Sequence, residues 1–134
     1  MLTPEQALER ITQFHGHGGP WAALGYKAGE TARMILSPEK IKDLKVHARL
    51  KYDIPYSCFL DGLQVGSCCT IGKKNLTFSD GDVPVSEFTM NGVGFILEIR
   101  PDVIDKIMPA SDEKTMWVLA QNHETLFQLK DKTF

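Results

Sequence analysis

Two short segments concentrate the side chains that do chemistry. The first, Phe14-His15-Gly16-His17-Gly18-Gly19-Pro20, sets two imidazoles two positions apart in a glycine-rich turn. Glycine permits backbone conformations closed to other residues, so the turn can aim both rings together. Imidazole is a metal ligand and a proton carrier near neutral pH. The free N–H groups of the helix that Pro20 opens would also suit an anion. An isolated histidine in a turn has a plainer use, which is to cap or pack it. The second segment, Cys58 to Asn75, holds all three cysteines, Cys58, Cys68 and Cys69, together with Asp61 and Gln64. Cys58 is expected near the N-terminus of a short helix, where the partial positive charge favours thiolate. Steps of three place Asp61 and Gln64 on the same side as Cys58.

Spacing restricts any shared centre. An unbroken helix would separate Cys58 from Cys69 by roughly 16 Å at 1.5 Å per residue, too far for one ion. A common site therefore requires the chain to turn back at Gly66-Ser67. An odd number of thiols argues against a disulfide framework, which leaves metal binding, reactivity or simple burial as their use. The catalytic candidates are Cys58 as a nucleophile and Asp61 as a proton carrier. A thiol sensor built on Cys68 and Cys69 with Cys58 is a further reading, weakened because neighbouring cysteines pair poorly. Two motifs fail on inspection. Gly66 to Lys74 misses the spacing of a phosphate-binding loop, and His17-Gly18-Gly19 lacks the G-x-S-x-G nucleophile elbow that a hydrolase would need. His47 reads as a strand residue, His123 as a polar helix end, and Trp21 and Trp117 as core anchors or dimer contacts.

The elements that must position these residues are legible from capping and periodicity. Thr3, Pro4 and Gln6 form a capping-box signature for a helix to about Phe14, with Ala7, Leu8, Ile11 and Phe14 facing the core. Pro20 opens a second helix with a stripe of Ala23, Leu24, Ala28, Ala32 and Ile35, stopped by Ser37-Pro38. Alternation from Lys45 to Tyr52 predicts a strand with one solvated face. A short helix from Cys58 to Val65 follows. Strands are predicted at Leu76–Phe78 and Val83–Met90, joined at Asp80-Gly81, and at Val93–Ile99 after the hairpin signal Asn91-Gly92. Helices after Pro101 and after Ser111, the last running to about His123, complete the chain. Helical block, strands, helical block: this order predicts a single α+β domain, an antiparallel meander packed by helices.

At 134 residues, with 43% hydrophobic and 24% charged residues, the chain can bury a core without a structural metal or disulfides. A formal charge of -2 provides no cationic field for nucleic acid. No apolar run reaches the roughly 20 residues of a spanning helix. Glu5 and Glu9 fall where a signal peptide needs apolar residues, so no membrane association and a cytoplasmic location are expected.

Phe14-His15-Gly16-His17 with Pro20 and Gly25, and Cys58-x-x-Asp61-x-x-Gln64 with Cys69-Thr70-x-Gly72-Lys73-x-Asn75-Leu76, resemble the core domain of the formylmethanofuran dehydrogenase E-subunit family. The match covers about residues 5 to 100. The resemblance implies an α+β core, often a homodimer, with histidine and cysteine around a metal pocket. Carried over, it implies His17, Cys58 and Cys69 as ligands, with His15, Asp61, Gln64, Cys68 and Lys73 as additional site residues. Mixed imidazole and thiolate ligands suit zinc, and three of them leave a position for water or substrate. Members commonly carry a cysteine two residues after the second histidine and a glycine after the proline, where this chain has Gly19 and Trp21; Cys68 stands where glycine is usual. No cysteine follows Cys69, so the C-terminal zinc finger of some members is not expected. The functions implied are a metal-binding accessory of molybdenum or tungsten enzymes of one-carbon metabolism, or a small metal- or thiolate-dependent enzyme acting on a one-carbon or pterin-like substrate.

Overall fold

The computed structural model describes residues 2–131. Helix α1 spans Pro4–His15 and opens with the expected capping box, in which Thr3 Oγ1 accepts from the Gln6 N–H and Gln6 Oε1 accepts from the Thr3 N–H. Helix α2 spans Pro20–Leu36, with Pro20 in its first turn, where a missing N–H costs nothing. Strand β1 (Lys45–Leu50) leads into α3 (Cys58–Ser67), followed by β2 (Leu76–Asp80), β3 (Val85–Met90) and β4 (Val93–Ile99). Helices α4 (Pro101–Ile107), α5 (Asp112–Ala120) and α6 (His123–Leu126) precede a final strand, β5 (Phe127–Asp131).

The five strands form one sheet in the order β2-β1-β3-β4-β5. Alternate residues, Val46, Ala48 and Leu50, then Ser86 and Phe88, then Phe95, Leu97 and Ile99, are buried. They share one hydrophobic core with Ile11, Trp21, Leu24, Phe59 and Leu63 of the helices. Three of the four strand pairings are antiparallel, and the architecture is α+β as expected. The Asn91-Gly92 turn has φ of 52° and 79° at its two residues, the backbone that this dipeptide favours.

The structure departs from the sequence reading in four places. β2 does not pair with β3; it runs parallel to β1, because α3 carries the chain over in a β-α-β crossover. Asp80-Gly81 is no hairpin turn: the Gly81 N–H donates to the Leu50 carbonyl at 3.0 Å, so the chain crosses the end of β1 before entering β3. The last helical segment divides at Gln121, and β5 adds an edge strand beyond it. Phe14 and Ile35, assigned to the core by periodicity, are exposed near the ends of their helices.

Candidate functional site

Helices α2 and α3 cross with their backbones in close contact. A methyl group added at Gly25 would collide with the Phe59 carbonyl, at Gly29 with the backbone of Ser67, at Gly62 with the Ala22 carbonyl and at Gly66 with the Tyr26 carbonyl. Each helix thus presents a pair of glycines four residues apart to the other, and the backbones meet directly. The sequence reading placed the end of α3 at Val65 and a turn at Gly66-Ser67, but the helix runs through both to its cap at Cys68, and paired glycines at helical spacing inside apolar helices were the readable sign of close packing. The crossing fixes the N-terminal end of α3, with Cys58 and Asp61, beside the turn between α1 and α2. Trp21, buried at the start of α2, meets the Tyr56 ring edge-on at 5.1 Å and so holds the segment that precedes α3.

His15 is the last residue of α1, and Gly16 ends the helix with a φ of 93°, a left-handed conformation that a side chain would strain. His15 Nδ1 lies 2.5 Å from Asp61 Oδ2. An ionised carboxylate only accepts, so Nδ1 carries the proton and, in the neutral ring, Nε2 keeps its lone pair. That Nε2 is buried without a hydrogen-bond partner. His17 lies outside the helix and is exposed; its ring centroid stands 4.5 Å from that of His15. Its Nδ1 lies 2.6 Å from the Gly18 carbonyl, which accepts, leaving Nε2 again as the free acceptor. Both imidazoles are therefore fixed in the tautomer that offers Nε2.

Cys58 opens α3 and is half-buried. The helix N-terminus was expected to favour its thiolate, but the balance goes the other way. Burial pushes the thiol up and the neighbouring Asp61 carboxylate pushes it further, outweighing the backbone contribution that lowers it. His15, Cys58, Asp61 and Gln64 line one cleft of about 900 Å³, with Tyr52, Ile54 and Phe78 on its outer side. Gln64 is oriented at both ends, donating to the Leu60 carbonyl and accepting from the Ile71 N–H, each at 3.4 Å.

The remaining expected residues serve the loop that follows. Cys69 is fully buried, and its Sγ donates to the Leu44 carbonyl at 3.4 Å; burial raises its thiol as well. It does not line the cleft. Cys68 caps α3 in a left-handed conformation, with a φ of 63°. Its carbonyl accepts from Lys73 Nζ at 2.5 Å. Asn75 accepts from the Thr70 N–H at 2.9 Å and donates to the Ile41 carbonyl at 3.3 Å, while Thr70 Oγ1 accepts from the Lys73 N–H. The stretch from Cys69 to Asn75 is thus a hydrogen-bonded clamp between α3 and β2. Among the described residues no group of three or more histidine, cysteine or acidic side chains stands close enough together to hold a metal ion. What does converge is the pair His15–Asp61, with His17 against one side and Cys58 within the same cleft. No helix of the described residues is long and apolar enough to cross a membrane.

A comparison with curated proteins finds no match. The family model described as "FmdE, Molybdenum formylmethanofuran dehydrogenase operon" matches residues 14–132, nearly the whole chain, from the turn that bears both histidines through β5.

Proposed function

Because the chain belongs to the FmdE family, whose model is named for the molybdenum formylmethanofuran dehydrogenase operon, we propose that it is a cytoplasmic metal-binding accessory protein of that enzyme system, acting as a homodimer. His15 Nε2, His17 Nε2 and the Cys58 sulfur would hold the ion, and this mixture of donors would suit zinc. The observation that carries this reading is the buried His15 Nε2, left without a partner while Asp61 holds the opposite nitrogen. A carboxylate behind an imidazole is the usual support of a histidine ligand: it fixes the tautomer and raises the basicity of the free nitrogen. Cys69 is left out of the set because its thiol is already bonded to the Leu44 carbonyl. With three protein donors, zinc bound here would still be able to take a water or a ligand. In the protein's own part of the chemistry, Asp61 orients His15 and Cys58 gives up its raised proton on coordination.

Metal per chain after anaerobic purification tests the reading. Wild type should carry about one ion per chain, and the His17→Ala, Cys58→Ser double variant should carry little. Equal, substoichiometric metal in both would refute it.

The open cleft at Cys58 and Asp61 favours one second reading, a small enzyme acting on a one-carbon or pterin-like substrate. The raised Cys58 thiol weighs against free thiolate as its nucleophile and towards an ion-dependent reaction. Turnover of such substrates that Asp61→Ala abolishes would support it; a panel with neither turnover nor thermal shift would dismiss it.

A further inference from the structure

Four large apolar side chains left exposed by the fold, Tyr52, Ile54, Ile71 and Phe78, line the same cleft as the His15–Asp61 pair. Exposed apolar residues scattered singly need no explanation, but a group gathered around one concavity marks a binding surface. Tyr52 lies in the loop after β1 and Phe78 in β2, yet their rings meet at 4.9 Å with 32° between planes. They form a ready aromatic wall. The cleft, about 900 Å³, is of the size that holds a small molecule.

The polar lining is one-sided. Beside the His15 imidazole and the Cys58 thiol it contributes the carboxylates of Asp53 and Asp61, the Ser57 hydroxyl and the Gln64 amide, and it contains no lysine or arginine. Both ends of the Gln64 amide are engaged by backbone, so the charged acceptors that face a ligand are the carboxylate oxygens. Lys51, outside the lining, pairs with Asp53 at 4.0 Å and extends over the Tyr56 ring, offsetting part of the Asp53 charge and leaving Asp61 without a lysine or arginine partner. A phosphate or carboxylate would meet repulsion here, whereas a cation or a ring with N–H groups at its edge would be matched.

We propose that this cleft binds a planar ring carrying a positive charge or edge N–H donors, stacked on the Tyr52–Phe78 wall with its polar edge towards Asp53 and Asp61. The inference rests on the functional reading above only in placing the ligand beside the same centre.

Benzamidine and benzoate, flat rings of nearly equal shape and opposite charge, are the probes. Ligand-observed saturation-transfer NMR at millimolar concentration is run on wild type and on the Tyr52→Ala, Phe78→Ala double variant, with folding checked by thermal melt and zinc per chain measured in the same samples. Benzamidine should bind wild type and bind the double variant at least tenfold more weakly, and benzoate should not bind. The proposal is overturned if benzoate binds as well as benzamidine, if neither binds, or if benzamidine binding survives loss of both rings. It is equally overturned if light scattering finds a dimer that the double substitution dissociates, since a second copy would then cover the wall. Zinc content keeps the two readings apart: loss of metal in the histidine variants speaks for the metal centre, whatever benzamidine does.

Discussion

The account turns on one nitrogen. Imidazole in a protein interior keeps its unprotonated nitrogen unpaired at a cost, and His15 Nε2 bears that cost while Asp61 is 2.5 Å from Nδ1. Asp61→Ala should leave the fold intact and weaken zinc roughly 10- to 100-fold, read by competition with a chromogenic chelator; equal affinity would mean that Asp61 serves another purpose. Tyr26 shows the opposite kind of group, explained without any ligand. Burial comes first in raising its phenol above the usual tyrosine range, followed by its hydrogen bond to Glu30 at 2.9 Å. A raised acid is favoured protonated in the native state, so its contribution is complete below about pH 10 and declines as pH rises beyond that. Wild type should therefore lose denaturant stability at high pH more steeply than Tyr26→Phe; parallel declines would show that folding does not raise the phenol. Through its family resemblance the sequence grouped His17, Cys58 and Cys69 with His15 and Asp61 beside them; His15, Cys58 and Asp61 do line one cleft, while Cys69 is buried against the Leu44 carbonyl. It misjudged the Cys58 thiol, since charge near a helix end is visible in spacing while desolvation and a carboxylate neighbour are not.

Among the elements, α2 and α3 decide where the site forms. Their backbones touch through Gly25, Gly29, Gly62 and Gly66, so a single methyl has nowhere to go. Gly62→Ala should destabilise by about 3 kcal/mol or more, at the upper end of overpacking costs, and should lower metal content with it; a neutral melt would show that the helices can separate freely. The loop from Cys69 to Asn75 shows how a motif can be structural. Asn75 joins the Thr70 N–H to the Ile41 carbonyl from a nearly buried position, and Asn75→Ala should cost about 1 to 3 kcal/mol without altering metal stoichiometry. Capping signals located α1, α2 and the β3–β4 hairpin because those cues are local. The parallel pairing of β2 with β1 escaped, since it depends on the crossover through α3 and not on the residues of β2. β5 escaped for a related reason: at Phe127–Asp131 only Phe127 is buried, so a one-sided edge strand carries too little alternation to read.

At the scale of the whole molecule, one core of helices on a mostly antiparallel sheet leaves a chemically distinctive cleft at the end where α1, α2 and α3 converge. The match to the FmdE family spans that cleft and the sheet beneath it. A bound ion that the unfolded chain does not hold must raise the melting temperature, so zinc in excess should stabilise wild type and leave the His17→Ala, Cys58→Ser variant unmoved. The most direct test of the centre itself is cobalt substitution. The cobalt form of wild type should show thiolate-to-metal charge transfer together with tetrahedral d–d bands; both should vanish in Cys58→Ser and persist in Cys69→Ser. Bands that persist without Cys58 and disappear without Cys69 would place the sulfur ligand elsewhere and contradict the account.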